Sequence, residues 1–220
     1  MNRASPTARV VLFDWDGTLL DSFAADAAAY VSMFTALGIR WGEREFARHY
    51  SPNWHRVYRA ARIPRTKWEM ADRLWMRAYK LQNPALLPGV RATLRKLQRR
   101  FRLGVVSSGS GWRVRSQLRE MKLRRYFPVC VCGEDTLRRK PNPAPLKLAL
   151  RRLCARPQET IYVGDAAEDM QMARRAGVRA IGVLGPFPTA ARLRAEHPEA
   201  VLSSICDLPG YLRAQMASRS

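Results

Sequence analysis

The sequence lacks any long apolar run, and it contains few cysteines, few histidines and few acidic residues. Its N-terminal apolar stretch, Val10 to Phe13, is interrupted at once by Asp14. A membrane-spanning helix needs about 20 apolar residues, and the core of a secretory signal needs at least about seven. We therefore expect no membrane partner and a cytoplasmic location.

The four cysteines and three histidines do not have the spacing of a structural zinc site. Zinc ligands usually come in turn-spaced pairs such as CxxC, whereas Cys130 and Cys132 lie two positions apart in a predicted strand. We expect these two cysteines, together with Cys154 and Cys206, to be buried reduced thiols. Reduced thiols agree with a cytoplasmic location.

Acidic residues are outnumbered, because 18 Asp and Glu stand against 39 Lys and Arg, a formal net charge of +21. Only six of the basic residues are lysines, so arginine dominates. A clustered basic surface would indicate nucleic-acid binding. These arginines are scattered without a dense block, which favours a compositional bias spread over solvated helix faces. Nucleic acid is therefore the less favoured partner, although the positive field should attract anionic small molecules in either case.

Apolar runs alternate with helical patterns over most of the chain. The predicted strands are Arg9–Asp14, Leu103–Ser107, Phe127–Cys132, Thr160–Gly164, Arg179–Leu184 and Ala200–Ser203. The predicted helices between them cover residues 89–100, 112–121, 143–153 and 169–176. This alternation predicts an α/β fold, a doubly wound parallel sheet with a Rossmann-like core.

The segment after the first strand breaks the alternation. It shows helical spacing throughout and no convincing strand, and it holds four of the six tryptophans, at positions 41, 54, 68 and 75. We predict a small all-helical insert over residues 21–86, placed within an α/β core made of residues 1–20 and 87–220.

Asp14 and Asp16 lie at the exit of the first strand, followed by Gly17 and Thr18. Side chains two positions apart on a strand point to the same side. Two close carboxylates repel each other unless a cation or a shared proton intervenes. The pair therefore indicates metal or proton chemistry, while a plain strand followed by an Asp-Gly turn is the alternative.

Other chemically distinctive residues follow the later strands. Ser107 and Ser108 precede a glycine-rich helix start, which suits a phosphate but also fits a common Ser-Gly connector. Lys140 lies between prolines after the third strand. Asp165 and Asp169 follow the fourth strand and suit a hard divalent cation. Because the ends of parallel strands open on one edge of a sheet, all these side chains should converge on one crevice.

Four segments, DWDGTLLDS, VVSSGS, KPNPAPL and VGDAAED, resemble in this order the four motifs of the haloacid dehalogenase-like hydrolases. The resemblance covers nearly the whole chain. The helical insert is similar to the cap of the subgroup that contains phosphoglycolate phosphatases and β-phosphoglucomutases. The resemblance implies a Mg²⁺-dependent phosphatase that hydrolyses a small phosphomonoester, phosphoglycolate-like or sugar-phosphate-like, through an aspartyl-phosphate intermediate.

The resemblance also implies roles for the motif residues. Asp14 would be the nucleophile, and Asp16 would donate and then accept the proton. The residues implied to hold Mg²⁺ are Asp14, the backbone carbonyl of Asp16, and Asp165, supported by Asp169. The residues implied to bind the phosphoryl group are Ser107, Ser108 and Lys140.

Several alternatives remain open at this point. Asp16 disfavours a dehalogenase, which does not use this acid–base residue. A phosphonate-cleaving relative needs a Schiff-base lysine in the cap, and neither Lys67 nor Lys80 has a recognisable context for that role. A phosphomutase of the β-phosphoglucomutase type and a nucleic-acid-end phosphatase are the enzymatic alternatives, and a non-catalytic phosphate-binding module is a third. The chain could be a monomer or a dimer.

Substrate choice should depend on the cap. The segment SPNWHRVYR occupies roughly the place of the specificity loop of phosphoglycolate phosphatases, although the insert is shorter than theirs. Asn53, His55 and Arg56 are therefore candidates to contact the non-phosphate part of the substrate. The alternative is a helix start at which Trp54 and Tyr58 pack inside the cap.

Overall fold

The computed structural model describes residues 8–217. Its strands are β1 (Val10–Phe13), β2 (Leu20–Asp21), β3 (Ala85–Leu86), β4 (Arg102–Val106), β5 (Val129–Val131), β6 (Thr160–Gly164), β7 (Arg179–Val183) and β8 (Ala200–Leu202). Six of them form one sheet in the order β5-β4-β1-β6-β7-β8, in which all pairs are parallel. The other two strands, β2 and β3, pair with each other and are antiparallel.

Ten α-helices connect the strands in the described part of the chain. They are α1 (Phe23–Ala36), α2 (Glu43–His49), α3 (Trp54–Ala60), α4 (Trp68–Tyr79), α5 (Val90–Leu97), α6 (Gly111–Glu120), α7 (Ala144–Arg152), α8 (Ala167–Arg175), α9 (Ala190–Ala195) and α10 (Leu208–Ala217). Within residues 8–217, none of these helices has the length and apolar character needed to cross a bilayer.

The central strand β1 is buried on both faces of the sheet. Val11 and Phe13 belong to an apolar cluster that includes side chains of α5, α6 and α10. Val10 and Leu12 belong to a second cluster with side chains of α7 and α8. Successive residues of a strand point to opposite faces, so an uninterrupted apolar run is what a sheet covered on both sides requires. The predicted doubly wound parallel sheet is confirmed.

The third predicted strand is shorter than expected. It covers Val129–Val131 rather than 127–132, because proline at position 128 has no backbone N–H to donate to the sheet. At the other end, the backbone N–H of Cys132 donates to the Asp135 carboxylate at 2.8 Å instead of to a neighbouring strand.

Helices α1 to α4 pack around an apolar cluster of their own. Tyr30 and Phe46 stack with ring centroids 4.5 Å apart, and Phe34 and Tyr58 are buried in the same cluster. Among the buried members of this cluster, only Phe187 comes from outside residues 27–71. A separate apolar cluster is the kind of support that an inserted helical cap needs.

The expectation of no strand in this region is wrong where the chain enters and leaves the helical segment. Leu20 pairs with Leu86, and Asp21 pairs with Ala85, so the chain enters and leaves the helical segment through two adjacent strands. Two residues are too few to show an alternating pattern, and the partner lies more than 60 positions away. The pairing holds side by side the two segments that connect the sheet to the helical segment.

The four cysteines are unpaired, as expected, but they are not all buried. Cys132 is buried and Cys130 partly so, and their sulfur atoms lie 3.5 Å apart on the same side of β5. Cys154 and Cys206 are exposed. Both exposed cysteines lie outside the β-strands, where burial does not follow from the sheet pattern.

Candidate active site

The ends of neighbouring strands bring the motif residues together at one edge of the sheet. Asp14 follows β1, and its backbone N–H donates to the Val163 carbonyl at 2.9 Å. Ser107 follows β4, and its N–H donates to the Val131 carbonyl at 2.9 Å. The sheet hydrogen bonding therefore continues into both residues and fixes their backbones.

Lys140 joins two carboxylates at this edge. Its Nζ lies 2.8 Å from Asp14 Oδ1 and 2.7 Å from Asp169 Oδ1, and its side chain is 1% exposed. Burial alone would lower the pKa of the ammonium group, but the charges of Asp14 and Asp169 outweigh burial and hold that pKa above its usual value. Lys140 is therefore a permanent positive charge next to Asp14.

The Asp169 carboxylate is fully buried, and both of its oxygens have partners. Besides Lys140, the Tyr162 hydroxyl donates to its Oδ1 at 3.1 Å, and the backbone N–H of Ala166 donates to its Oδ2 at 3.1 Å. Asp169 lies in the first turn of α8, where a carboxylate is also favoured by the helix dipole. Its main effect is to hold the Lys140 ammonium in place.

Asp165 has a carboxylate oxygen that nothing in residues 8–217 satisfies. The Thr18 hydroxyl donates to its Oδ1 at 3.1 Å, while its Oδ2 is buried without a hydrogen-bond partner. Burial, and then the neighbouring charge of Asp14, raise the pKa of Asp165 well above its usual range. Such an arrangement is unfavourable for an ionised carboxylate unless a cation is close.

Three buried carboxylates are close enough to share one cation. Each of Asp14, Asp165 and Asp169 offers an oxygen within 4.8 Å of the others. Burial raises the pKa of Asp14 to about 7, against the opposing charge of Lys140. Carboxylate oxygens are the preferred ligands of hard divalent cations, so these residues fit a divalent metal. The Asp16 carboxylate is not part of this group.

Asp16 pairs with Arg113 instead. Nη1 and Nη2 of Arg113 donate to its two oxygens at 2.8 and 2.6 Å. Burial would raise the pKa of Asp16, but the Arg113 charge and these two bonds outweigh burial and lower it. The Arg113 guanidinium also lies over the rings of Trp75 and Tyr79, at 5.8 and 4.9 Å from their centroids. Arg113 thus connects Asp16 to helix α4.

The loop after β4 presents hydroxyl groups at the start of α6. The Ser107 hydroxyl accepts the backbone N–H of Gly109 at 2.9 Å. The Ser108 and Ser110 hydroxyl oxygens are buried, and neither has a hydrogen-bond partner in the described part of the chain. Free hydroxyls at a helix N-terminus favour an anion.

A cavity of about 270 Å³ connects these groups to the helical segment. Asp14, Asp16, Ser107 and Ser108 line it from the sheet side, and Arg113 and Arg139 also face it. The aromatic residues that line it from the helices are Tyr30, Tyr50, Trp54, Tyr58 and Trp75. The volume suits a small molecule.

The three residues proposed from the helical segment do not line this cavity. The Asn53 backbone N–H donates to Ser51 Oγ at 3.2 Å. The His55 ring stacks on Trp68 at 4.5 Å, and Arg56 Nη1 lies 3.3 Å from Glu168 Oε1. The neighbouring Trp54 lines the cavity, and Tyr58 is buried while also reaching its wall.

Sequence reasoning missed both arginines that face the cavity. Arg113 lies in the first turn after the SSGSG loop, a position that could have singled it out. Arg139 directly precedes Lys140 and has no such signal in a chain dominated by arginine. Asp26 on α1 and Asp72 on α4 also line the cavity, and only the packing of the helices brings them there.

The haloacid dehalogenase-like hydrolase family matches residues 11–183, most of the chain. The chain belongs to this family. It is 32% identical over 215 residues to a phosphoglycolate phosphatase of Pseudomonas putida, covering 92% of this chain and 79% of that protein. It is 28% identical to the pyrophosphatase PpaX of Oceanobacillus iheyensis, covering 91% of this chain and 94% of that protein.

A solved structure agrees with the sequence relatives. A haloacid dehalogenase-like hydrolase of Bacteroides fragilis has a TM-score of 0.84 and is 28% identical, covering 92% of this chain and 100% of its own. The family predicted from the four motifs is confirmed, and so is the prediction of a hydrolase. Family and relatives together support a phosphatase that acts on small phosphorylated substrates.

Proposed function

We propose that the chain is a Mg²⁺-dependent phosphatase that hydrolyses a small phosphomonoester through an aspartyl-phosphate on Asp14. The observation that supports this most directly is the placement of Asp14, which faces the cavity while Lys140 and two further carboxylates are buried beside it. We also propose that residues 21–86 act as a cap over the site, since their aromatic side chains form the opposite wall.

Asp14 is suited to attack phosphorus. Its Oδ1 accepts the Lys140 ammonium at 2.8 Å, which orients the carboxylate and leaves Oδ2 for the new bond. Attack forms an Asp14–phosphate bond while the bond from phosphorus to the leaving oxygen breaks. Water then attacks the same phosphorus, which releases phosphate and restores Asp14.

Asp16 moves the proton in both steps. As an acid it protonates the leaving oxygen, and as a base it takes a proton from the attacking water. Arg113 bonds both oxygens of Asp16 and lowers its pKa, so this pair must open for Asp16 to take up the proton that it then transfers. The rings of Trp75 and Tyr79 lie against the Arg113 guanidinium and would keep it near Asp16 after the ion pair has opened.

The transferred phosphoryl group would lie against Ser107, Ser108 and the start of α6. The unsatisfied Ser108 hydroxyl can donate to a phosphoryl oxygen. The buried Lys140 adds a positive charge on the same side. Positioning and charge compensation of this kind supply most of the rate in phosphoryl transfer.

We assign the metal to Asp14, the backbone carbonyl of Asp16 and Asp165, with Asp169 in support through Lys140. When bound there, Mg²⁺ would offset the negative charge of the phosphoryl oxygens. The unsatisfied Asp165 Oδ2 and the mutual closeness of the three carboxylates support this assignment. The unpaired cysteines agree with the cytoplasmic location that we also propose.

The decisive experiment measures phosphate release from an aryl phosphate with Mg²⁺. We expect turnover by the natural chain, none with EDTA, and at least a ~1,000-fold lower kcat in Asp14→Asn, which cannot form the intermediate. Asp21→Asn, a change at the exposed residue of strand β2, is the matched control. Acid quenching followed by mass spectrometry should find the phosphoryl group on the peptide containing Asp14. Undiminished turnover in Asp14→Asn would disprove the mechanism.

A second assay separates hydrolysis from isomerisation. A hexose phosphate is incubated with the chain, and the products are followed by phosphorus NMR. Free phosphate supports the phosphatase, whereas an isomeric sugar phosphate would support a mutase of the β-phosphoglucomutase type instead.

A further inference from the structure

Arg139 is a positively charged residue in the cavity without an anionic partner. It lines the cavity one position before Lys140, and its guanidinium lies 4.0 Å from the centroid of the Trp54 ring. Its Nε is buried without a hydrogen-bond partner, and no ion pair forms with it in residues 8–217. The other arginine in the cavity, Arg113, forms an ion pair with Asp16 through its two terminal nitrogens.

An unpaired guanidinium in such a place needs an explanation. Arginine does not lose its proton at accessible pH, so it cannot become neutral as a buried lysine can. A buried donor without a partner is unfavourable, and the Nε–H of the half-buried Arg139 is such a donor. The Trp54 ring lies against the guanidinium and holds it in the cavity, and a guanidinium can donate two parallel hydrogen bonds to one anionic group.

The nearest acidic side chains do not satisfy Arg139. Asp72 and Glu134 act on it through their charge, but neither forms an ion pair with it, and Glu134 accepts the backbone N–H of Gly111 at 2.8 Å. Asp72 instead accepts the Tyr58 hydroxyl at 2.7 Å. Asp72 and Glu134 also line the cavity and would repel an anion beside them, whereas Arg139, which lines it without an ion pair, would attract one.

We propose that Arg139, held on Trp54, determines specificity by binding a second anionic group of the substrate while the serine loop holds the transferred phosphoryl group. This inference rests on the proposed phosphatase function. The second group is a carboxylate or a phosphate, since both match the two N–H groups on the edge of a guanidinium. A substrate with a neutral alcohol in that position leaves Arg139 unpaired and binds more weakly.

The kinetic test compares substrates that differ only in this group. 2-Phosphoglycolate provides a carboxylate, pyrophosphate provides a second phosphate, and 2-hydroxyethyl phosphate is the neutral counterpart of the first. We expect kcat/KM for at least one of the anionic substrates to exceed that for the neutral one by at least ~30-fold. Arg139→Met should abolish that preference, mainly through KM, and should change the neutral ester by less than ~3-fold.

Two further variants sharpen the test. Arg138→Met removes the same charge from the exposed neighbouring residue and should preserve the preference. Arg139→Lys keeps the charge but not the paired N–H groups, and should restore only part of it. An equal loss on all substrates in Arg139→Met, or an unchanged preference, would overturn the proposal. Which anionic substrate loses most identifies the group that Arg139 binds.

A binding measurement separates this inference from the proposed reaction. Calorimetry on Asp14→Asn with Mg²⁺ should show 2-phosphoglycolate or pyrophosphate binding tighter than 2-hydroxyethyl phosphate, and adding Arg139→Met should remove the difference. Binding of inorganic phosphate should be the same with and without Arg139→Met. If the natural chain hydrolyses nothing but this pattern holds, the reaction fails and the role of Arg139 stands. Equal binding of charged and neutral ligands to Asp14→Asn refutes that role.

Discussion

Lys140 compensates for the carboxylates that meet beside the end of β1. Its ammonium contacts Asp14 and Asp169 at once, so a single buried cation compensates both the proposed nucleophile and a second buried carboxylate. A lysine presents one compact charge, whereas the planar fork of an arginine would need more room between the two carboxylates. This explains why one of the six lysines stands here in a chain rich in arginine.

Asp26 should make the stability of the protein depend on pH. Burial, and then the charge of Asp16, raise its pKa to about 7 from an unfolded value of 3.8. The folded protein therefore keeps a proton that the unfolded chain loses between these values, and the stability from this carboxyl falls as pH rises towards 7. Asp26→Asn stays neutral, so its Tm should exceed that of the natural chain near pH 8, with the difference shrinking towards pH 5.

Thermal unfolding over a pH series measures this difference. Asp21→Asn changes an exposed carboxyl close in sequence and serves as the control. A Tm difference between Asp26→Asn and the natural chain that does not vary with pH would show that Asp26 is ordinarily ionised in the folded protein.

At the level of elements, the turn after β1 depends on a glycine. Gly17 has φ of +76°, and a Cβ there would overlap the Asp165 carboxylate and the Phe187 ring. Gly38, just after α1, has a similar φ of +73° but nothing within 4 Å of the corresponding position. Gly17→Ala should therefore lower Tm more than Gly38→Ala, whose cost is backbone strain of about 1–2 kcal/mol.

Activity measurements on Gly17→Ala and Gly38→Ala test whether the turn positions Asp165 as well as stabilising the fold. Gly17→Ala displaces Asp165, so we expect at least a ~10-fold loss of Mg²⁺-dependent turnover, since changes beside metal ligands typically cost 10- to 100-fold. Gly38→Ala should keep its activity at temperatures where it is folded. Similar activity losses in the two variants would mean that the turn does not position Asp165.

Strands of the sheet were predictable because their sequences are local and strongly patterned. The run VVLF is buried on both faces and is followed directly by Asp14, so one short segment shows both the strand and a candidate site residue at its end. The β2–β3 pairing was not predictable, because it depends on where the chain returns after four helices. Short contacts between distant segments leave no periodic trace in either one.

The residues on the helical wall of the cavity could not be predicted from the sequence either. Asp14, Asp16, Lys140 and Asp165 follow strands, and the geometry of a parallel sheet alone places such residues on one edge. The side chains of the opposite wall depend on how α1, α3 and α4 pack against one another. Arg139 was not predicted to line the cavity because nothing in its local sequence distinguishes it from the other arginines.

For the whole molecule, the net charge and the cavity favour different kinds of binding partner. The net charge of +21 favours contact with a polyanion, whereas the cavity of about 270 Å³ favours a small substrate. The two are compatible if the charge acts at long range, attracting anionic metabolites towards the site. Affinity for nucleic acid would then be unspecific and unrelated to turnover.

Salt should therefore change stability and association but not the choice of substrate. Like charges destabilise the compact state, and salt screens them over about 10 Å near 0.1 M, so Tm should rise between ~20 and ~200 mM NaCl. Binding of single-stranded DNA, measured by fluorescence anisotropy, should be lost over the same range. The preference for an anionic over a neutral small substrate should persist, because a screened surface does not alter pairing inside the cavity. Salt-resistant DNA binding that competes with phosphoglycolate would instead place a nucleic-acid end in the site.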